Sequence, residues 1–200
     1  MKRRKFLKTT TVAGLGLATS PRLSWLRSPN DTVVVAVMGL NGRGTVLART
    51  FASWRTADVA YVCDVDSVVL AKGVAAVAGV RRGARGVQGL GDFRKALDDK
   101  AVDALVIAAP DHWHTPAALL AMQAGKHVYV EKPCGHNPRE GELLVEAQRK
   151  HQRVVQMGTQ QRSAPRSMEL MQAIREGIIG SHTWRAPGTP TPAPRSAAGK

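Results

Sequence analysis

A glycine-rich segment, GLNGRG, begins at residue 39 and has the composition of a phosphate-binding turn. Glycines at Gly39, Gly42 and Gly44 let backbone amides at the start of a helix come close to a diphosphate. The spacing differs from G-x-G-x-x-G at Asn41, and asparagine is the non-glycine residue that best tolerates a positive φ angle. The segment alone is a weak signal, so its interpretation depends on the elements around it.

An acidic residue, Asp64, stands twenty residues after Gly44, at the end of an apolar run. A carboxylate in that place can accept hydrogen bonds from both hydroxyls of an adenosine ribose, which favours NAD over a 2′-phosphorylated cofactor. We therefore expect NAD, with NADP as the alternative. The competing interpretation is an aspartate that merely ends a strand.

A polar segment, PDHWH at 110–114, directly follows another buried apolar run. Parallel α/β sheets bind their ligands at the carboxyl ends of the strands, which is where this segment falls. Trp113 is the candidate to flank a nicotinamide ring. His112 and His114 are poor candidates for metal ligands, because no third ligand stands at a recognisable spacing. For His112, capping of the helix at Thr115 is an equally good interpretation.

The tripeptide Glu131-Lys132-Pro133 follows the next apolar run and is the most informative in the chain. A lysine held at a strand end can hydrogen-bond a cofactor ribose and a substrate hydroxyl, and so steer a proton while hydride leaves the carbon. The competing interpretation of Lys132 is a solvated surface lysine. Pro133 restrains the backbone there, and the sequence leaves its isomer open. Neither Cys63 nor Cys134 has a neighbour that argues for a catalytic thiolate.

Strand-like and helix-like segments alternate along the chain and must position these residues. Runs of β-branched and apolar residues predict strands at 32–38, 59–63, 87–90, 104–108, 128–130 and 154–157. Helical spacing, with proline and glycine at the ends, predicts helices at 45–54, 67–80, 93–97, 116–124, 138–150 and 165–176. We expect Asp92 to cap the third helix and Gly125 to close the fourth. The alternation predicts an α/β fold with a doubly wound parallel sheet, the Rossmann dinucleotide-binding architecture.

Composition and charge exclude several classes of protein. The 200 residues are 44% hydrophobic, which excludes a disordered chain and allows one substantial domain. The net charge is +14, but the first thirty residues hold +7 and the last twenty hold +3, so 31–180 carries only +4. Nucleic-acid binding is therefore not expected. Two cysteines are too few for a disulfide framework, and the longest uncharged run near the start is too short to span a membrane.

The first twenty residues have the layout of an export signal, with Arg3-Arg4-Lys5-Phe6-Leu7-Lys8 before a short apolar run. They resemble a twin-arginine signal, which predicts the twin-arginine export machinery as a partner and an exported, periplasmic location. Lys2 and the lack of a clear Ala-x-Ala site depart from the pattern, so cleavage stays open. The competing interpretation is a basic disordered tail. We thus divide the chain into a signal and linker (1–30), a dinucleotide-binding domain (31–182) and a disordered Pro/Ala-rich tail (183–200).

The segments together resemble the glucose-fructose oxidoreductase and inositol dehydrogenase family (Gfo/Idh/MocA), especially its exported twin-arginine members. The similarity runs from residue 33 to about 182 and rests on GLNGRG, CDVD, DFRKALDDKAVDALVIAAPDHWH, EKPCGHNPREG and VVQMGTQQRS. The resemblance implies that Gln160 lies near the active site. It also implies dinucleotide contacts from Gly39, Asn41, Gly42, Arg43, Asp64, Pro110, Trp113, His114, Glu131 and Lys132.

Members of that family continue into a second α/β domain, which supplies a histidine and further substrate groups, and we expect the 200 residues to lack this domain. The resemblance implies an NAD(P)-dependent oxidoreductase that acts on a sugar, a polyol or a related hydroxyl compound. We expect the 200 residues, as the nucleotide domain only, to show little or no turnover. The alternatives are an NAD-dependent glycosidase of the same family, a non-catalytic dinucleotide-binding module and an inactive product of a disrupted gene. Substrate identity and oligomeric state stay open.

Overall fold

The computed structural model describes residues 32–81 and 86–180. The expected signal segment and the expected tail after residue 182 lie outside these residues. The sequence prediction has one domain over 31–182, whereas the structure divides the chain into a unit that ends at Gly158 and a unit that begins at Thr159.

The first unit contains a six-stranded sheet in which every neighbouring pair of strands is parallel. The strand order is β3-β2-β1-β4-β5-β6. The strands are β1 Val33–Met38, β2 Ala57–Cys63, β3 Gln88–Leu90, β4 Ala104–Ile107, β5 His127–Glu131 and β6 Val155–Gly158. This order reverses at β1 and confirms the predicted doubly wound sheet.

Five helices connect the strands of the first unit: α1 Arg43–Ser53, α2 Ser67–Ala78, α3 Arg94–Leu97, α4 His114–Gln123 and α5 Pro138–His151. A 3₁₀ turn, Asp111–Trp113, precedes α4, so the helical conformation begins earlier than the predicted 116. Asp92 accepts a hydrogen bond from the backbone amide of Arg94 at 3.0 Å, which satisfies the start of the short α3. Gly125 follows α4 with φ at 77°, as a left-handed cap requires.

The core occupies both faces of the sheet, because the side chains of a strand point alternately to either face. In β1, Val35 and Val37 pack on one face with Leu47 of α1, while Ala36 belongs to the cluster on the other face. Each of the valines is at most 2% exposed. Full burial of such a side chain stabilises the fold by about 1.5–3 kcal/mol. The sheet is therefore a rigid base for the loops that follow its strands.

The second unit has a 3₁₀ turn, Gln160–Ser163, and one helix, α6 Pro165–Arg175. None of the residues of α6 is buried, and Met168, Leu170 and Met171 are each about half exposed. In the described parts of both units, no helix has the length and apolar character that a membrane span requires.

Candidate functional site

A cavity of about 390 Å³ lies at the carboxyl edge of the sheet. Its walls come from the segments that follow β1, β2, β3 and β4, represented by Gly39, Asp64, Asp92 and Pro110. In doubly wound sheets the ligand binds at this edge, beside the strand where the order reverses. The topology thus brings together segments that the sequence separates by many residues.

The glycine turn between β1 and α1 requires glycine at two positions. Gly39 has φ at 82°, and a Cβ there would lie 2.6 Å from the backbone nitrogen of Ala109. A Cβ on Gly44 would lie 1.6 Å from the carbonyl oxygen of Gly39. Both positions are crowded by backbone, which cannot rotate away. The close packing of the turn on β4 and α1 explains the predicted glycine spacing.

The amino terminus of α1 is suited to an anion. Gly42, which precedes the helix, has φ at 53°, and an added Cβ there would meet no atom within 4 Å. The helix has no side-chain cap and no acidic residue in its first turn. The amide of Gly44 donates to the carbonyl oxygen of Asn41 at 3.4 Å. The positive end of the helix dipole lies at this turn, which is where a diphosphate binds in this architecture. Asn41 is exposed in the same turn.

Asp64 lines the cavity and is held by two backbone amides. One carboxylate oxygen accepts a hydrogen bond from the amide of Leu40 at 2.8 Å, and the other accepts from the amide of Asp66 at 3.0 Å. The carboxylate is thereby fixed between the end of β2 and the glycine turn. Each oxygen keeps acceptor capacity for a ligand hydroxyl. This tie to Leu40 is a second role for Asp64 that the sequence did not indicate.

Asp92 and Arg94 also line the cavity, and the sequence analysis did not single them out as site residues. Arg94 donates from Nε to both oxygens of Asp92, at 2.9 and 3.1 Å, and its terminal nitrogen donates at 2.8 Å. Hydrogen bonds from Arg94 lower the pKa of the Asp92 carboxyl. The signal that could have identified them is the position of GDFR directly after the predicted third strand.

The segment after β4 supplies Pro110 to the cavity wall, and the 3₁₀ turn that follows supplies His112 and Trp113. Trp113 is 44% exposed, and its ring meets the ring of Phe93 edge-on at 6.4 Å between centroids. An exposed aromatic face at this edge is available for a ligand ring. Within 32–81 and 86–180, no group of three or more His, Cys, Asp and Glu side chains has the arrangement of a metal site.

His114, an expected dinucleotide contact, is not among the residues that line the cavity, and the contact stays a prediction. His114 is buried, with 3% of its surface exposed, at the start of α4. The Nε2 atom lies 2.8 Å from the carbonyl oxygen of Ala109, and Nδ1 is within hydrogen-bonding distance of the carbonyl oxygen of Pro133. Both ring nitrogens are thus engaged by the backbone of the chain itself.

Arg43, at the start of α1, reaches across to the end of β5. Its Nε donates a hydrogen bond to Glu131 at 2.9 Å, and the hydroxyl of Tyr129 donates to the same carboxylate at 3.3 Å. Glu131 is buried, 5% exposed, while the side chain of Arg43 is 37% exposed. The hydrogen bond to Glu131 raises the pKa of Arg43, and burial raises that of Tyr129. Glu131 therefore orients Arg43 beside the glycine turn.

Lys132 follows Glu131 at the carboxyl edge and is exposed. Its peptide bond to Pro133 is cis. Neither Lys132 nor Glu131 belongs to the wall of the 390 Å³ cavity. Gln160 lies in the second unit, in the exposed 3₁₀ turn, and its expected place near the active site stays a prediction.

The cysteines differ in their surroundings. Cys63 is 2% exposed, and burial raises the pKa of its thiol to about 12. Such a thiol stays protonated at neutral pH and is a poor nucleophile. Cys134 is half-buried in the loop after Lys132.

Comparison with known proteins identifies what this architecture is similar to. A glycosyl hydrolase family 109 protein from Saccharopolyspora erythraea is 29% identical over 198 residues, which cover 89% of this chain and 43% of that protein. Glycosyl hydrolase family 109 protein 2 from Shewanella sp. strain ANA-3 is 32% identical over 152 residues, 75% of this chain and 33% of that protein. The chain thus spans less than half the length of these relatives.

Among solved structures, apo scyllo-inositol dehydrogenase from Lactobacillus casei superposes with a TM-score of 0.63 at 25% identity, over 75% of this chain and 43% of that one. The model of the Gfo/Idh/MocA oxidoreductase family, described as an NAD-binding Rossmann fold, matches residues 8–159. This match agrees with the glycine turn, the uncapped α1 and Asp64, and it confirms the expectation of NAD. The chain therefore belongs to the Gfo/Idh/MocA oxidoreductase family and carries its NAD-binding Rossmann fold.

Proposed function

We propose that this chain is the NAD-binding part of an oxidoreductase that transfers hydride to or from a hydroxyl-bearing carbon of a sugar or polyol. The observation that carries the proposal is the cavity shared by the glycine turn and Asp64, next to the uncapped start of α1. Similarity to a scyllo-inositol dehydrogenase supports a polyol as the substrate class. When bound, the nicotinamide supplies the hydride acceptor or donor.

In this proposal the chain's own residues have separate roles. The first amides of α1 hold the diphosphate, and the Asp64 carboxylate accepts the adenosine ribose hydroxyls. Trp113 flanks the nicotinamide. The amine of Lys132 accepts the hydroxyl proton of the substrate as hydride leaves the carbon, and the resulting ammonium group returns that proton in the reverse direction. Arg43 stands beside the turn, oriented by Glu131.

A second candidate is an NAD-dependent glycosidase, in which oxidation of one sugar hydroxyl makes the glycosidic bond labile. The relatives named glycosyl hydrolase family 109 favour it. A non-catalytic dinucleotide-binding module is the third reading. Incubation of the chain and NAD with aryl glycosides and with free polyols separates the three: net NADH formation, however slow, identifies the dehydrogenase, sugar release without net NADH identifies the glycosidase, and NAD binding with neither identifies the module.

Replacement of Asp64 by asparagine is expected to weaken NAD binding about tenfold, because a charged acceptor for the ribose hydroxyls is lost. The loss should be smaller for NADP, whose 2′-phosphate no longer meets a carboxylate. Isothermal titration of the full chain with each cofactor measures both affinities. Asp103→Asn is the matched control, since Asp103 also accepts a backbone amide, that of Val34 at 2.7 Å, but at the start of β4. Equal NAD affinity of the Asp64 variant and the control would contradict the assignment.

The 200-residue chain is expected to bind NAD(H) but to show little turnover with any sugar or polyol. Hydride transfer needs a substrate carbon held against the nicotinamide, and misplacement by about 1 Å can cost on the order of a hundredfold in rate. Lys132 is exposed and supplies one of the groups that the reaction needs, the one that exchanges the hydroxyl proton. NADH absorbance with a panel of polyols measures the rate. Substantial turnover that Lys132→Ala abolishes would overturn this expectation.

We also propose that the N-terminal segment directs export through the twin-arginine route, on the support of its Arg3-Arg4 pair before Phe6-Leu7. Arg3→Lys with Arg4→Lys is expected to leave a fused reporter in the cytoplasm, because the route reads the arginine pair rather than the charge. Lys2→Arg is the matched control and should be exported normally. Fractionation of cells measures the reporter; unchanged export of the double variant would remove the proposal.

A further inference from the structure

The loop that carries Lys132 is fastened to the start of α4 by two side chains. The ring of His114 bridges the carbonyl oxygens of Ala109 and Pro133. The hydroxyl of the next residue, Thr115, donates a hydrogen bond to the carbonyl oxygen of Cys134 at 3.1 Å. His114 is 3% exposed and Thr115 is 2% exposed, so both attachments are shielded from water.

These contacts give hydrogen-bond partners to three backbone carbonyl groups, those of Ala109, Pro133 and Cys134. A carbonyl oxygen only accepts, so each ring contact is a hydrogen bond when the facing nitrogen carries a proton. A neutral imidazole has one N–H, and the doubly protonated ring satisfies both carbonyls together. Removal of the donor takes this hydrogen bond away and frees the loop from the buried side chain that holds it. The attachment is therefore specific to donors at these two positions.

Lys132 lies between this attachment and a second fixed point. On its amino side, Glu131 is buried and bound by Arg43 and Tyr129. On its carboxyl side, His114 holds the next carbonyl group, that of Pro133. The backbone on both sides of Lys132 is thus set, while its side chain is exposed at the carboxyl edge.

We propose that His114 and Thr115 form a clamp that positions Lys132 for the nicotinamide half of the cofactor. The inference rests on the proposed function and deepens it: the two residues act through the backbone of the lysine loop and not by touching the cofactor. The clamp also ties this loop to Ala109, directly before the segment that carries Trp113. One imidazole ring therefore contacts both the loop that carries Lys132 and the segment that carries Trp113, the two candidate nicotinamide contacts.

The test compares NADH with ADP-ribose, which lacks the nicotinamide, in the full 200-residue chain. His114→Phe keeps a ring of similar size and removes both ring nitrogens, and with them the hydrogen bonding to the two carbonyl groups. We expect this variant to bind NADH about fivefold to tenfold more weakly, with ADP-ribose affinity within twofold of the parent. Unchanged NADH affinity, or an equal loss for both ligands, would overturn the proposal.

A double-mutant cycle separates positioning from general damage. In a Lys132→Ala background, His114→Phe is expected to have no further effect on NADH affinity, because there is no lysine left to position. A persisting fivefold loss in that background contradicts the clamp. His127→Phe is the matched control: His127 also fastens a neighbouring segment, by accepting the amide of Val154 at 2.9 Å, but at the opposite end of β5. This control should leave the affinities for both ligands unchanged.

Thr115→Val tests the other residue of the clamp, and it replaces His114→Phe as the test variant if that variant fails to fold. It keeps the shape, removes the hydroxyl, and should weaken NADH binding about threefold with ADP-ribose binding unaffected. No change in NADH binding would contradict the clamp.

Amide hydrogen exchange tests the clamp without any ligand. Residues 134–136 should exchange at least about tenfold faster in either variant, and unchanged exchange overturns the clamp. If the parent chain binds neither NADH nor ADP-ribose, the proposed function fails, while the exchange result still decides the clamp.

Discussion

Replacement of Gly44 by alanine is expected to destabilise the folded chain by about 3 kcal/mol or more and to abolish measurable NAD binding. The added Cβ would lie 1.6 Å from the carbonyl oxygen of Gly39 and 3.3 Å from the side chain of Ala108. Relief requires α1 to move away from the glycine turn, since the clashing atom is backbone. The same movement displaces the amides that hold the diphosphate. Denaturant unfolding and NAD titration measure the two effects.

Gly141→Ala is the matched control for this prediction. Gly141 is also a helical glycine, in α5, and an added Cβ there would meet no atom within 4 Å. Alanine in an open helical position should stabilise the fold by up to about 1 kcal/mol through its better helix propensity. The free energy of unfolding is expected to fall for Gly44→Ala and to rise for Gly141→Ala. A Gly44 variant as stable as the parent would show that the turn is not packed as described.

Replacement of Arg81 by methionine is expected to cost about 3–5 kcal/mol of unfolding free energy, because it leaves the carboxylate of Asp58 buried without its partner. The side chains of Arg81 and Asp58 are 5% and 9% exposed, and Nε donates to the carboxylate at 2.7 Å. The pair joins the segment that follows α2, where Arg81 lies, to the start of β2, where Asp58 lies. Chemical denaturation at pH 7 measures the loss.

Two further variants make this second prediction decisive. Arg139→Met removes an arginine from an ion pair with Glu142 in which both side chains are more than 60% exposed, and it should cost less than about 1 kcal/mol. Asp58→Leu combined with Arg81→Met removes both charges and should be less destabilised than either single variant. A cost for Arg81→Met no larger than that for Arg139→Met would show that the pair is solvated.

Much of the fold follows from local sequence patterns. Apolar and β-branched runs place all six strands within two residues of their observed bounds. The signal is clearest for the central strands β1 and β4, whose apolar runs are continuous because both faces of the sheet are covered there. Side-chain caps mark the starts of two of the described helices, α2 and α5; at α5 the side chain of Asn137 accepts the amide of Glu140. The division after Gly158 was not foreseen, since the helical spacing of 165–175 does not reveal that α6 buries none of its residues.

The candidate site was predictable where chemistry is encoded in a short segment. The glycine turn and Asp64 lie where their spacing indicates. Contacts between distant segments were not predictable: Arg43 and Glu131 are 88 residues apart in the chain, and only the sheet order brings them together. For the same reason the burial of His114, and its use of both ring nitrogens on backbone carbonyls, needed the structure.

The all-parallel sheet has a consequence for how the chain folds. Neighbouring parallel strands cannot be joined by a tight turn, so every ladder here closes over a long loop. The central pair, β1 with β4, sets Val35 against Ala104, 69 residues later. Chains dominated by such distant contacts have high contact order and fold slowly. During synthesis, the middle of the sheet cannot form until residue 107 has left the ribosome, and its last strand must wait for residue 158.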